Sequence, residues 1–270
     1  MASQVRLPRE IDGKGRTIRE LLAGRKYSID YYQREYKWQK KQVEELIDDL
    51  AAKFLESHEE GNERSAVSEY GHYFLGSIIV SDKDGQKYLI DGQQRLTTLT
   101  LLLIFLHHEL EDPEQKGQIA DLIFSQKYGK RSFNLDIVER TACMEALYKG
   151  EEFAGHDGSE SIANILGRFA DIQELFPEEV RGPAMHYFAD WLVENVHLVE
   201  ITAYSDGDAY AIFETMKRDA LLGARSRPGL RRRVGRTGPP RACGDDAATR
   251  RRADRRSPRR PRTSSPGRLS

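Results

Sequence analysis

Between a β-rich stretch and a run of leucines stands the pentapeptide Asp91-Gly92-Gln93-Gln94-Arg95, followed closely by Thr97 and Thr98. Donors and hydroxyls crowd the opening turn of a helix whose continuation is almost wholly Leu. Free N–H groups and the helix dipole favour an anion at such a terminus. Arg95 adds a planar fork of donors suited to gripping phosphate in a bidentate manner. Asp91, at the end of the preceding strand, can hold a divalent metal bridging phosphate oxygens or position an attacking water. Phosphate-ester or phosphoanhydride chemistry suits this set. A plainer reading stands beside it: Asp91 and Gln94 also have the spacing of a capping box, with Gly92 relaxing the turn. For an isolated D-G-x-Q, that capping box is the preferred reading.

A second constellation lies upstream, where Tyr31, Tyr32, Tyr36 and Trp38 interleave with Arg34, Lys37, Lys40 and Lys41. Aromatic faces that stack on bases, beside cations that meet phosphates, are ingredients of nucleic-acid or nucleotide binding. Core packing of Tyr32, Tyr36 and Trp38 is an equal alternative by spacing alone. His107 and His108 are neighbours on a helix, about 100° apart, and cannot share a metal as an i, i+4 pair could. Glu44, Glu45, Asp48 and Asp49 read as a solvated helix face, and Asp206-Gly207-Asp208 as a turn and helix cap.

The elements that must position these residues follow from periodicity. Residues 17–22 form a short helical pattern ended by Gly24, and residues 26–29 extend as a strand. Val43, Leu46, Ile47, Leu50 and Phe54 make residues 41–57 an amphipathic helix. Residues 59–71 are a polar loop. Residues 72–80 are apolar on both faces and read as a central strand, with a turn at 82–85 and a partner strand at 86–91. Residues 96–110 form a buried helix. Beyond 111 the pattern is mostly helical, in 117–124, 140–148, 161–176 and 183–195, before a strand at 198–202 and a helix opening at 208. The fold class is α+β.

Composition divides the chain sharply. Residues 217–270 hold 17 Arg and one Lys against four acidic residues, whereas residues 1–216 hold 24 basic and 39 acidic ones, a balance near −15. The last stretch, without Phe, Tyr, Trp or Ile, lacks the apolar surface to offset chain entropy and is expected to be disordered. Its abrupt Arg bias reads as out-of-frame translation of a GC-rich gene in preference to an Arg-rich nucleic-acid arm. Two cysteines, no N-terminal signal pattern and no long apolar stretch read as a cytoplasmic protein with no membrane span.

Three blocks, Y-Q-R-E-Y-K-W (residues 32–38), Y-F-L-G-S-I-I-V (73–80) and L-I-D-G-Q-Q-R-L-T-T-L (89–99), resemble in order and spacing the N-terminal ParB-like domain of GmrSD-type restriction endonucleases. Residues 133–150 and 199–216 resemble the family more weakly. The resemblance implies a ParB/sulfiredoxin-like small mixed sheet with helices over residues 15–110. A mostly helical region, incomplete, would follow over 111–216, and the Arg/Pro/Gly-rich tail over 217–270. It implies a domain that binds and hydrolyses a nucleoside triphosphate with Mg²⁺, as the sensor of a modification-dependent restriction and phage-defence system, with modified foreign DNA and a nuclease domain as partners. Asp91, Gln94 and Arg95 would be catalytic, with Asp91 also the metal ligand. Gln33, Arg34, Gly92, Gln93, Thr97 and Thr98 would contact nucleotide, and Tyr32, Arg34, Tyr36, Lys37 and Trp38 would contact DNA. After F-E-T-M (213–216) the family's N-D-R-G is replaced by Lys217-Arg218-Asp219-Ala220, so the expectation is a chain truncated or frame-disrupted before its nuclease domain. A non-enzymatic ParB-like module switched by nucleotide or DNA, and a decayed gene product, are the alternatives.

Overall fold

The computed structural model describes residues 11–29, 35–83, 85–127, 129–153, 155 and 159–225. Its centre is a six-stranded mixed sheet built from β1 (Asp12–Thr17), β2 (Tyr27–Ile29), β3 (Tyr73–Lys83), β4 (Gln86–Asp91), β7 (Leu135–Asp136) and β8 (Val196–Ala203), in the order β1-β8-β3-β4-β2-β7. The pairs β1·β8 and β3·β4 are antiparallel, and β8·β3, β4·β2 and β2·β7 are parallel. A separate hairpin joins β5 (Phe124–Lys127) to β6 (Lys130–Phe133).

Sequence explains which face each strand presents. Along β3, Ile78 and Val80 point into the main core while Ile79 points to the other face, the alternation a pleated strand imposes. The main core is covered by helices. In α2 (Lys40–Leu55), Val43, Leu46, Ile47, Leu50, Ala51 and Phe54 are buried, and Glu44, Glu45, Asp48 and Asp49 are exposed. In α3 (Gln93–Glu109) every residue from Leu96 to Leu106 is buried. Burying each of its leucines contributes about 1.5–3 kcal/mol before chain entropy is subtracted. Around these pack α1 (Ile18–Leu22), α4 (Pro113–Ile123), α5 (Val138–Lys149), α6 (Glu160–Leu175) and α7 (Met185–Asn195). The other face is covered by α8 (Asp206–Arg225), whose Ala209, Ile212 and Phe213 meet Ile79, Ile90 and Ala203.

Several elements differ from the sequence expectation. Asp12-Gly13-Lys14-Gly15-Arg16-Thr17 has no apolar alternation, yet it forms β1 because β8 offers it a continuous backbone ladder from Asp12↔Thr202 to Thr17↔His197. A β-hairpin follows α4 where the sequence pattern predicts helix as far as residue 124. The sheet does not stop at residue 110, since β8 lies between β1 and β3. The described residues cluster as one compact unit. The final helix passes Met216 and runs to Arg225, carried by the helix formers Lys217, Arg218, Ala220, Leu221 and Leu222. No helix among the described residues is long and apolar enough to cross a membrane.

Candidate functional site

Asp91 is the last residue of β4 and pairs with Ile79 beside a bulge in β3. Gly92 follows with φ 95°, the left-handed region, and caps α3, where the Leu96 N–H donates to its carbonyl at 3.0 Å. A Cβ built on Gly92 would lie 2.5 Å from Ile78 Cγ2, so glycine is required by both conformation and space. The capping box expected of Asp91 and Gln94 does not form. The left-handed turn puts the cap at Gly92, which has no side chain, and leaves Asp91 in the strand. The first N–H groups of α3 are therefore not capped by a side chain.

Gln94 turns its amide elsewhere. Its Oε1 accepts from the Lys37 N–H at 2.8 Å and the Trp38 N–H at 3.2 Å, and its Nε2 donates to the Glu35 carbonyl at 2.8 Å. The motif thus clamps the extended segment 35–38 against the start of α3 and sets Trp38 beside it. Arg95 Nη1 donates to the Ser77 carbonyl at 2.5 Å, with its guanidinium over Gly76 at the second bulge of β3. Gln93 Oε1 is buried and has no hydrogen-bond partner.

These residues meet in one pocket of ≈300 Å³. Asp91, Gly92, Gln93, Gln94 and Arg95 line it together with Trp38, Ile90 and Phe213. Phe213 comes from α8 on the far side of the sheet, so three separated sequence blocks converge here. A hollow of ≈800 Å³ elsewhere, lined by Arg64, Glu109, Asp112, Gln115 and His186 among others, is larger but holds none of the motif residues. Geometry, not volume, singles out the smaller pocket.

Other candidates fall in different places. Thr97 and Thr98 are 2% and 1% exposed and do not line the pocket. Thr98 Oγ1 donates to the Gln94 carbonyl at 2.9 Å and pairs with the Tyr36 hydroxyl at 2.8 Å, while Thr97 accepts from Arg140 at 3.3 Å. Their hydroxyls serve the interior because α3 is buried all round. Tyr36, 1% exposed, cannot stack on a base, and burial pushes its phenol up to about 12. This corrects its placement among the DNA contacts in favour of core packing. Lys37 is exposed and ion-paired with Glu35 at 2.5 Å. Tyr32, Gln33 and Arg34 lie outside the described residues. Among the described residues no group of three or more His, Cys, Asp or Glu is placed to hold a metal, so Asp91 would act as a single carboxylate ligand. His107 and His108 turn to Tyr148, by its hydroxyl at 3.1 Å and its carbonyl at 2.9 Å respectively.

Two residues of consequence were not singled out. Phe213 lies within the F-E-T-M string, but its place in the pocket depends on a crossing of the sheet that local pattern does not reveal. Arg140 is 4% exposed, and its Nη2 has no hydrogen-bond partner; burial pushes its pKa down to about 10, so it stays charged at neutral pH.

No curated protein matches the chain. A family model described as GmrSD restriction endonuclease, N-terminal domain, matches residues 18–219, a span that takes in every residue lining the pocket. The uncapped helix start, the Gln94 clamp and the Phe213 wall are therefore features of a domain whose family is shown over most of the chain. The chain belongs to the GmrSD restriction endonuclease N-terminal domain family and is a component of a restriction and phage-defence system.

Proposed function

We propose that the pocket at residues 91–95 binds a nucleoside triphosphate and hydrolyses it, as the sensor of a system that restricts modified foreign DNA. The observation that carries this reading is the start of α3, which no side chain caps, opening beside Arg95 and Asp91 in one pocket. Phosphate oxygens take the first N–H groups of α3 and the Arg95 guanidinium. Trp38 and Phe213 supply aromatic surface for a base or sugar.

Mg²⁺ fits this arrangement, because the ion is commonly held by one or two carboxylates with the remaining sites on phosphate and water. Asp91 would hold it, and the ion would neutralise charge developing on the phosphates. Gln94 acts as a positioning residue, since its amide is engaged with residues 35–38. Asp91 is then left to orient the attacking water. A volume of ≈300 Å³ is at the small end of the range for ligand sites, about 300–1,000 Å³, and suits a phosphate chain with part of the nucleotide outside.

A second reading is a switch that binds nucleotide without turnover. It is favoured by Asp91 being the one carboxylate among the described residues that line the pocket. Phosphate release and equilibrium binding, measured on the same protein with each of the four triphosphates and Mg²⁺, separate the two. Turnover lost in Asp91→Asn with binding retained supports hydrolysis. Binding without phosphate release supports the switch, and no binding of any triphosphate refutes both.

A further inference from the structure

The extended residues 35–38 belong to neither helix nor strand, so their backbone groups must find partners elsewhere. From the Glu35 carbonyl to the Trp38 carbonyl, each of those groups is met by a side chain. Gln94 takes the Glu35 carbonyl and the Lys37 and Trp38 N–H groups, and Gln39 Nε2 donates to the Lys37 carbonyl at 3.2 Å. The rest come from α6. Ser161 Oγ accepts from the Tyr36 N–H at 3.1 Å, Asn164 Nδ2 donates to the Tyr36 carbonyl at 3.0 Å, and Arg168 Nη1 donates to the Trp38 carbonyl at 3.3 Å. Ser161, Asn164 and Arg168 have the i, i+3, i+7 spacing of one helix face. Asp171 accepts from Arg168 Nε at 2.5 Å and steadies its guanidinium. None of these α6 residues lines the pocket at 91–95, whereas Trp38, which they hold, does.

We propose that Asn164 and Arg168 are positioning residues that set the pocket's preference for a nucleotide over bare polyphosphate. The inference rests on the nucleotide reading of residues 91–95 and adds to it what selects the base. In an extended chain, successive residues turn their N–H and C=O groups to opposite sides. Gln94 therefore holds one edge of the strap, through residues 35 and 37, while Ser161 and Asn164 hold the other, through residue 36. Arg168 then fixes the end of the strap, at the carbonyl of Trp38 itself. A strap with no ladder of its own has no other means of keeping the indole in place. A ring fixed in advance spares the ligand the cost of ordering it, so a base stacks on Trp38 at full strength. The phosphates meet the start of α3 and Arg95 instead. Loosening the strap from the α6 side thus weakens the hold on the base and leaves the hold on phosphate alone.

The test is isothermal titration of the full chain, with Mg²⁺, against ATP, GTP, CTP, UTP and inorganic tripolyphosphate, comparing wild type, Asn164→Leu, Trp38→Leu and the Asn164→Leu/Trp38→Leu pair. Asn164→Leu keeps the size of the side chain and removes the donor. It should raise the Kd for the best-bound nucleotide by roughly five- to tenfold, the lower end of what stacking a base on an aromatic ring is worth, and leave the Kd for tripolyphosphate unchanged. Trp38→Leu should show the same selectivity at least as strongly, and the pair should be no worse than Trp38→Leu alone. Arg168→Lys, which keeps a cation beside Asp171, is a milder second variant and should shift the nucleotide Kd in the same direction. Equal losses for nucleotide and tripolyphosphate, an unchanged nucleotide Kd in the folded variants, or additive effects of Asn164→Leu and Trp38→Leu would overturn the positioning role and leave the nucleotide reading standing. Failure of wild type to bind any of the five ligands refutes the nucleotide reading itself, and this role with it.

Discussion

Gly92→Ala is the perturbation whose cost can be worked from geometry. Two terms add. The residue sits at φ 95°, where a Cβ costs about 1–2 kcal/mol. The new methyl would also stand 2.5 Å from Ile78 Cγ2 and 3.0 Å from Ile78 Cβ, in a strand packed on both sides, and overpacking of that kind costs about 1–3 kcal/mol. The sum is about 2–5 kcal/mol. For a domain of this size that corresponds to a fall in Tm of roughly 5–15 °C. Gly24→Ala is the control, because Gly24 has φ 64° and nothing within 4 Å of a built Cβ, leaving only the conformational term of about 1–2 kcal/mol. Urea unfolding of both variants, with Ile78→Ala and the Gly92→Ala/Ile78→Ala pair, completes the measurement. The double variant should be less destabilised than the sum of the singles by about 1–2 kcal/mol, since the 2.5 Å contact with Cγ2 is then removed while Cβ remains. Equal costs at Gly92 and Gly24, or full additivity with Ile78→Ala, would refute the steric account of this turn.

Gln94→Ala removes three hydrogen bonds to residues 35–38 and should cost about 1–3 kcal/mol. Acrylamide quenching should rise at Trp38, since Trp191 is fully buried; unchanged quenching would mean that the clamp does not hold the segment. Glu200→Gln should destabilise by about 3 kcal/mol at neutral pH by leaving Arg16, Arg25 and Lys87 uncompensated. Burial alone would raise the Glu200 pKa, but the Lys87 and Arg16 contacts bring it below its ordinary 4.5. Its stabilisation is thus complete above that value and is lost as pH falls through the folded pKa, so the acid limb of the stability profile should flatten in the variant. An acid limb identical to wild type would contradict this. Arg140→Met replaces a buried cation that has no carboxylate within hydrogen-bonding distance among the described residues, and stability should stay level or rise by up to about 2 kcal/mol. A loss beyond about 2 kcal/mol in chemical denaturation would show that Arg140 has a partner of consequence.

The main frame was legible because its signals are local. Helical spacing of Val43, Leu46, Ile47, Leu50 and Phe54 located α2, and the apolar run from Ile78 to Val80 followed by Asp82 and Gly85 located the β3–β4 hairpin. The D-G-Q-Q-R turn was visible as a polar interruption between strand and apolar helix. What it does with its side chains was not. Asp91 and Gln94 have the spacing of a capping box, but the left-handed Gly92 shifts the cap by one residue and frees Gln94 to bind a segment more than fifty residues upstream. Thr97 and Thr98 looked available because they are polar, yet a helix buried on all sides gives no face signal to say which way they point. β1 was illegible for the opposite reason: its order comes from the ladder with β8, formed across nearly the whole described chain. Glu200 and Phe213 likewise act through neighbours that only the folded sheet assembles.

The central claim is that α3 begins at a phosphate site gripped by Arg95, and isothermal titration of triphosphate with Mg²⁺ into wild type, Arg95→Lys and Arg95→Ala tests it most directly. Losing a charge-assisted bidentate contact is worth about 1.5–3 kcal/mol, so the Kd should rise by roughly ten- to a hundredfold in Arg95→Ala and by less in Arg95→Lys, in proteins that stay folded although Arg95→Ala also loses the bond to the Ser77 carbonyl. An unchanged Kd in a folded Arg95→Ala protein would contradict the account.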